Sequence, residues 1–390
     1  MHPRRVLTLA AHAAFVPIGV VTVLLGPMLP WLSARWSLDY AQAGTLFTAQ
    51  FATSTLGVAI SGVLVSRWGF RAAINAGLLT MAAAIAVLPH GSRLVGVICV
   101  ASYGAGLGLA VPAANLQVAE VNPERRSAAL NLLNFSWSAG AVACPFLVAV
   151  ALKHQAIVFF LEATTGFMLA VSIGIAATSR LVADPKVAVR DSQKTSTPID
   201  WGESSLTVLC ALFFLYVGTE NAVGGWVASY AKSFRHTTAT LSVMTPSFFY
   251  AALMAGRWLA PAVLRRVEEI QVARAGILLA CTGMTGLIWT HVIAGVVVSA
   301  AISGLGLAAV YPITISLLSR QFGAAASRIG SLMFVMANLG GACLPWLVGY
   351  FSTRLGSLKT GLLVALAGGV LMQVLYFTKW KPITAGTSPQ

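Results

Sequence analysis

GAVACPFLV at residues 140–148 returns as GGACLPWLV at residues 340–348. Gly140 and Gly340, Pro145 and Pro345, and Leu147 and Leu347 all stand 200 positions apart. A second block, GLGLAVP at 106–112, matches GLGLAAVYP at 304–312. Two blocks at nearly one offset mark a duplicated chain rather than a chance likeness between glycine- and proline-rich helices. The residues around the blocks say what is duplicated: they belong to apolar runs that exceed the ~20 residues needed to span a bilayer.

The whole chain fits that reading. Of 390 residues, 57% are hydrophobic and 9% charged, against about 25% charged in an ordinary soluble protein. So few charges do not cover a water-facing surface, and alternation of period two is absent, which argues against a membrane β-barrel. The expected class is an all-α integral membrane protein. The formal charge of +14 would point to nucleic acid in a soluble protein. Here the basic residues lie between apolar runs and act as topology signals, so no nucleic-acid partner is expected. Cys99, Cys144, Cys210, Cys281 and Cys343 fall inside apolar runs without metal-ligand spacing and read as packing residues.

Apolar length and turn-forming breaks predict about twelve helices, near 7–32, 43–65, 72–89, 94–117, 128–152, 155–179, 204–231, 242–264, 272–290, 292–318, 328–351 and 358–378. They divide into a bundle at 1–179, a polar linker at 180–203 and a second bundle at 204–390. With the N-terminus inside, 18 of the 25 Lys and Arg fall on the inner side and seven on the outer, Arg257 being counted inside. Both termini are therefore expected in the cytoplasm, and the protein in the inner membrane. Gly104, Gly106 and Gly108, and again Gly304 and Gly306, allow close helix contact. Pro112, Pro145, Pro312 and Pro345 loosen the helical ladder. Ordinary membrane packing and rocking halves both fit these residues.

Six plus six helices, a linker and internal ends resemble the major facilitator superfamily. The loop Gly62-Val-Leu-Val-Ser66-Arg67-Trp-Gly69-Phe-Arg71 resembles its signature G-x-L-x-D-R-x-G-R-[RK], with Ser66 where the family has Asp. The resemblance implies a gate on the inner side built from Gly62, Arg67, Gly69, Arg71 and Glu120, weakened by the missing acid. Within the superfamily, YVGTENAVGGW (216–226), NPERRSAALNLLNFSWSAGA (122–141) and the run 304–349 resemble the fucose permease and sodium-dependent glucose transporter branch. That implies a sugar or polyol-like solute. The first-helix acid that the fucose permease uses in proton coupling has no counterpart between residues 7 and 32.

Ionisable groups inside a membrane are costly and mark function or pairing. Glu120 lies at an inner helix end beside Arg125 and Arg126, Glu162 in the sixth helix and Glu220 in the seventh. Glu162 reads either as a structural hydrogen-bonding group or as part of proton coupling. Glu220 is the stronger coupling candidate, since the resemblance places the seventh helix on the central cavity. Gly218, Gly224 and Gly225 around it predict a bent or unwound backbone. Gln50, Asn115, Gln117, Asn131, Asn134, Trp137, Asn221, Trp226, Tyr311 and Asn338 are the further candidates for solute contact. Amides match vicinal hydroxyls, and an indole stacks on the apolar face of a sugar ring. For any one of them, an interhelical hydrogen bond is an equal alternative.

The expectation is a monomeric secondary transporter for a small neutral solute, foremost a monosaccharide, with protons or sodium as coupling ion and the lipid bilayer as its surroundings. The alternatives are a multidrug or lipid exporter of the same fold and a non-transporting sensor or scaffold. No enzyme is expected, for no nucleophile–base pair stands out, and no metal or other cofactor, for the histidines are scattered and the glycine run GAGLGLA follows no strand.

Overall fold

A computed structural model describes residues 3–178, 204–234, 237–322 and 326–377. Helices account for nearly all of them, in the order α1 (Pro3–Val23), α2 (Leu25–Trp36), α3 (Tyr40–Trp68), α4 (Phe70–Val87), α5 (Arg93–Val121), α6 (Arg126–Lys153), α7 (Ile157–Thr178), α8 (Ser204–Lys232), α9 (Ala239–Val263), α10 (Glu269–Trp289), α11 (Ile293–Leu307), α12 (Val310–Phe322), α13 (Ala326–Leu355), α14 (Leu358–Gly361) and α15 (Leu363–Phe377). They give 12 spans long and apolar enough to cross a membrane among the described residues, so the chain is a multi-pass membrane protein. The predicted linker at 180–203 lies outside the described residues.

The first span lies in α1, which α2 continues after a break; the tenth is α11 plus α12 and the twelfth α14 plus α15. Two of these breaks have a local cause. Pro27 has no N–H to donate to the carbonyl of Val23, where α1 ends. Pro312 likewise leaves the carbonyl of Ala308 without its partner, just past the end of α11. By contrast, Pro112, Pro145 and Pro345 lie inside continuous helices.

The 200-residue repeat is visible as matched packing. Gly140 of α6 presses on the Val16 carbonyl of α1, and Gly340 of α13 on the Phe214 carbonyl of α8. Gly104 meets the Gln50 carbonyl on α3, and Gly304 the Phe249 carbonyl on α9. Gly106 packs on Gly77 and Met81 of α4, and Gly306 on Gly276 and Ala280 of α10. Each glycine sits where backbone meets backbone and a Cβ has no room, and the helices in contact are the corresponding ones of the two halves.

Between the halves, α3 packs on α13, α6 on α9, and α2 on α8. The contacts gather at one end. Ala41 N–H donates to Thr353 Oγ1 at 2.9 Å, Thr48 Oγ1 to the Ala342 carbonyl at 3.0 Å, and Ser247 Oγ to the Val142 carbonyl at 3.0 Å. Gly44 lies on the Trp346 backbone, Gly26 on Gly224 and Gly225, and Phe51 on Gly341. Toward the other end, which carries Pro3 and Phe377, Gly62 of α3 and Gly330 of α13 meet nothing within 4 Å. Leu56, Ile60, Val63 and Phe334 are exposed there. The halves are sealed at one end, and we read the open space beside Gly62 and Gly330 as a parting at the end of the described termini.

Candidate functional site

The polar centre of the molecule is built on α8 and α9. Glu220 and Tyr216 lie one helical turn apart on α8, so their side chains share a face. Arg257 projects from α9 into the same space, where the Glu220 carboxylate and the phenols of Tyr216 and Tyr311 surround its guanidinium electrostatically. The Tyr250 hydroxyl completes the cluster. Tyr311 follows the break between α11 and α12 and lies tilted against Tyr216 with ring centroids 5.3 Å apart, while Phe213 meets it edge-on at 5.5 Å.

Arg257 also reaches the other half, lying over the Trp137 ring of α6 at 5.6 Å from its centroid. The indole is held from behind: its Nε1–H donates to Thr22 Oγ1 at 3.2 Å. The backbone carbonyl of Thr22 in turn accepts from Gln50 Nε2 at 3.2 Å, and Gln50 Oε1 accepts from the Tyr103 hydroxyl at 3.3 Å. A wall of α1, α3, α5 and α6 thus presents the face of Trp137 to the charged pair on α8 and α9.

Two features of this cluster bear on ligand binding. Arg257 is half-buried, and its contact with the Tyr216 hydroxyl falls short of good hydrogen-bond geometry. The Tyr216 hydroxyl, 2% exposed, lies within interaction reach of both Arg257 and Glu220 but forms no hydrogen bond of good geometry. Polar groups left so in a protein interior are costly unless something else satisfies them.

Arg257 was counted above among the inner-side charges, and its place corrects that count. It lies within α9, with apolar residues on both sides and the pair Arg265–Arg266 beyond the helix end. The sign that distinguishes it was in the sequence, as a single arginine inside ALMAGRWLAPAV. Tyr216 was missed because an aromatic residue in an apolar run gives no signal of its own. The backbone around Glu220 also differs from expectation. α8 is continuous, and its glycines serve close approach: a Cβ on Gly224 would sit 2.5 Å from the Tyr250 hydroxyl, and one on Gly218 2.8 Å from the Gly340 carbonyl.

Of the predicted site residues, Trp137, Glu220 and Tyr311 come together at this cluster, with Gln50 behind Trp137. Asn115, Asn134 and Asn221 each donate to a carbonyl one turn back on their own helix. Gln117 is buried with its amide nitrogen unpartnered. Asn131 is exposed on the same face as Asn134, and Asn338 is half-buried on α13. Trp226 lies elsewhere: it is fully buried, donates to the Pro345 carbonyl at 2.8 Å and packs on Phe47 and Tyr40, within the seal. Glu162 is at the rim, 4.0 Å from His90, with side chains 56% and 61% exposed. In the signature loop, Gly69 takes φ 87° between α3 and α4, a conformation that favours glycine. Arg71 turns into its own half and donates to Thr178 Oγ1 of α7 at 3.3 Å. Gly62, Arg67 and Glu120 are exposed at the parted end.

The sequence of the family described as Major Facilitator Superfamily matches residues 12–345. Mouse sodium-dependent glucose transporter 1A is 20% identical over 96% of both chains. Among solved structures, a D-xylose–proton symporter superposes with a TM-score of 0.78 at 14% identity, covering 97% of this chain and 98% of that one. The Escherichia coli fucose:proton symporter superposes with a TM-score of 0.68 at 18% identity, covering 96% and 98%.

Proposed function

The chain belongs to the Major Facilitator Superfamily, and from that premise we propose that it is a secondary transporter moving a monosaccharide across the cytoplasmic membrane by alternating access, coupled to protons. The observation that carries this reading is the one site that both halves build. Arg257 and Glu220 come from one half and Trp137 from the other, beneath a seal and facing the parted end. A solute held there touches both halves, so its binding energy acts on the equilibrium between the sealed and parted arrangements of each end.

The positive-inside bias, seventeen inner charges once Arg257 is set aside, supports a cytoplasmic parted end. On that orientation the chain is open inward. The clustering of hydroxyl, carboxylate and guanidinium beside an indole favours a polyhydroxylated ring over an apolar drug. A glucose transporter and two sugar–proton symporters among the similar proteins support sugar as solute and the proton as coupling ion.

Glu220 is the proton carrier in this scheme. Ionised, it balances Arg257 in a setting where lone charges are expensive. Protonated, it leaves Arg257 uncompensated on its side of the cavity and changes what holds the two halves together across Trp137. Purified chain in proteoliposomes is to be loaded with sugar, with and without a pH gradient. The gradient drives accumulation by the wild type. Glu220→Gln keeps sugar exchange and loses accumulation; full accumulation by this variant refutes the coupling role.

A further inference from the structure

Resting on the reading of the chain as a monosaccharide transporter, we propose that Arg257, Tyr216 and Glu220 form a charge-neutral clamp for a vicinal diol of the sugar, with Trp137 as the platform for its ring. Three observations meet in this assignment. The guanidinium of Arg257 has five N–H donors in a rigid fork, of which its loose contact with Tyr216 engages at most one. The buried Tyr216 hydroxyl has no hydrogen bond of good geometry, though it lies within interaction reach of both charged groups. Glu220, when ionised, only accepts.

A pair of adjacent hydroxyls supplies what this set lacks. One sugar oxygen accepts from Arg257 and Tyr216. The neighbouring O–H donates to Glu220. Both partners of the diol are needed, because donors and acceptor sit side by side around one hydroxyl, that of Tyr216. The platform is part of the same device. Thr22 fixes the Trp137 indole, and the guanidinium lies on its face at 5.6 Å. An arginine on an aromatic face and the C–H face of a sugar ring use the same surface, so the bound ring takes over the indole while the fork turns to the diol.

Charge balance sets the specificity. With Glu220 ionised the clamp sums to zero, which suits an uncharged solute. A sugar acid would bring a second carboxylate beside Glu220 against a single guanidinium, and like charges in a low-dielectric site repel strongly. The clamp therefore reads the diol and rejects uronates.

The test is titration calorimetry of the full chain in detergent with D-glucose, its monodeoxy derivatives and D-glucuronate, or the same series built on D-xylose or L-fucose where that sugar binds more tightly. Two adjacent deoxy positions are expected to weaken binding to the wild type by about tenfold or more, the scale of a hydrogen bond to a charged group. Arg257→Gln weakens the parent sugar by a similar factor and removes the extra loss at those two positions. Arg257→Lys also binds weakly, since an ammonium lacks the fork. Should either variant fail to fold, Tyr216→Phe, which deletes one oxygen, is expected to weaken the parent sugar several-fold. The clamp is overturned if these variants bind the parent sugar within about twofold of wild type, or if the sugar acid binds more tightly than the sugar. Absence of binding by all three sugars to the wild type sinks the monosaccharide reading with it.

Discussion

Placing a large side chain at Gly44 separates the packing of the seal from the packing that holds each half together. A Cβ built on Gly44 would lie 3.1 Å from the Trp346 Cα and 3.2 Å from its carbonyl oxygen. Those contacts cross between the halves, from α3 to α13. The remaining atoms of a leucine then fall within the volume of the seal. Overpacking of this kind costs about 1–3 kcal/mol, which shifts an equilibrium by about 5–150-fold. Rocking the halves apart escapes the clash, so Gly44→Leu is expected to move the population toward the state open at the sealed end. Gly140 is the control. Its Cβ would strike the Val16 carbonyl of α1 in the same half, and no rocking relieves that.

The assay is the rate at which an impermeant maleimide labels a cysteine placed at Thr48, in a chain otherwise free of cysteine, alongside the melting temperature. Thr48 donates to Ala342 across the seal and is covered only when the halves meet there. Gly44→Leu should raise the labelling rate by a factor in the range above and change the melting temperature little. Gly140→Leu should lower the melting temperature without that gain in labelling. Unchanged labelling in Gly44→Leu, with a fall in melting like that of Gly140→Leu, would refute the reasoning that these glycines serve two separable interfaces.

Three further outcomes follow from the geometry. Glu162→Gln should leave sugar uptake and its response to a pH gradient within about twofold of wild type, because an exposed pair such as Glu162–His90 contributes at most about 1 kcal/mol. Trp226→Phe removes the donor to the Pro345 carbonyl within one half and should lower the melting temperature, at a cost of about 1–3 kcal/mol, with little change in Thr48 labelling, whereas Trp226→Ala also removes the packing on Phe47 and Tyr40 across the seal, should cost about 3–5 kcal/mol and should raise the Thr48 labelling rate. Arg71→Gln should lower the melting temperature measurably through the lost bond to Thr178 and leave sugar affinity within about twofold, since Arg71 faces its own half.

The sequence carried the architecture because the features that determine it are local and repeated. A span is readable from apolar length, and the duplication from two glycine–proline blocks. Gly104 with Gly304, and Gly106 with Gly306, turn out to touch corresponding helices, since both halves solve one packing problem with one residue type. Finer breaks escaped: Pro27 and Pro312 end α1 and α11 early, while Pro112 does not break α5. Proline removes one hydrogen bond in every case, and whether the helix then breaks depends on neighbours that the linear pattern does not show. The site was less legible for the same reason. Trp137 and Trp226 are both indoles in apolar helices, yet one meets Arg257 across the two halves and the other packs within the seal. Only the third dimension tells them apart.

Arg257 sharpens the point about charge. Counting Lys and Arg by side of the membrane treats each as a topology signal, and for charges at helix ends that is sound. An arginine flanked by apolar residues inside α9 belongs to a different class: its desolvation has to be met by a carboxylate, an aromatic face or a ligand. The protein meets it with Glu220 and Trp137, one from each half. That division has a consequence for transport. If the halves part at the seal, α6 and α9 move relative to each other and the contact of Arg257 with Trp137 loosens, while its relation to Glu220 within one half persists. On the proposed cycle the charge pair persists while the cation–aromatic contact is made and broken. The order predicts that Trp137→Ala, unlike Glu220→Gln, will change the balance between the two end states while leaving the response to a pH gradient in place. Equal loss of pH-driven accumulation in both variants would mean that the indole and the carboxylate act as one unit.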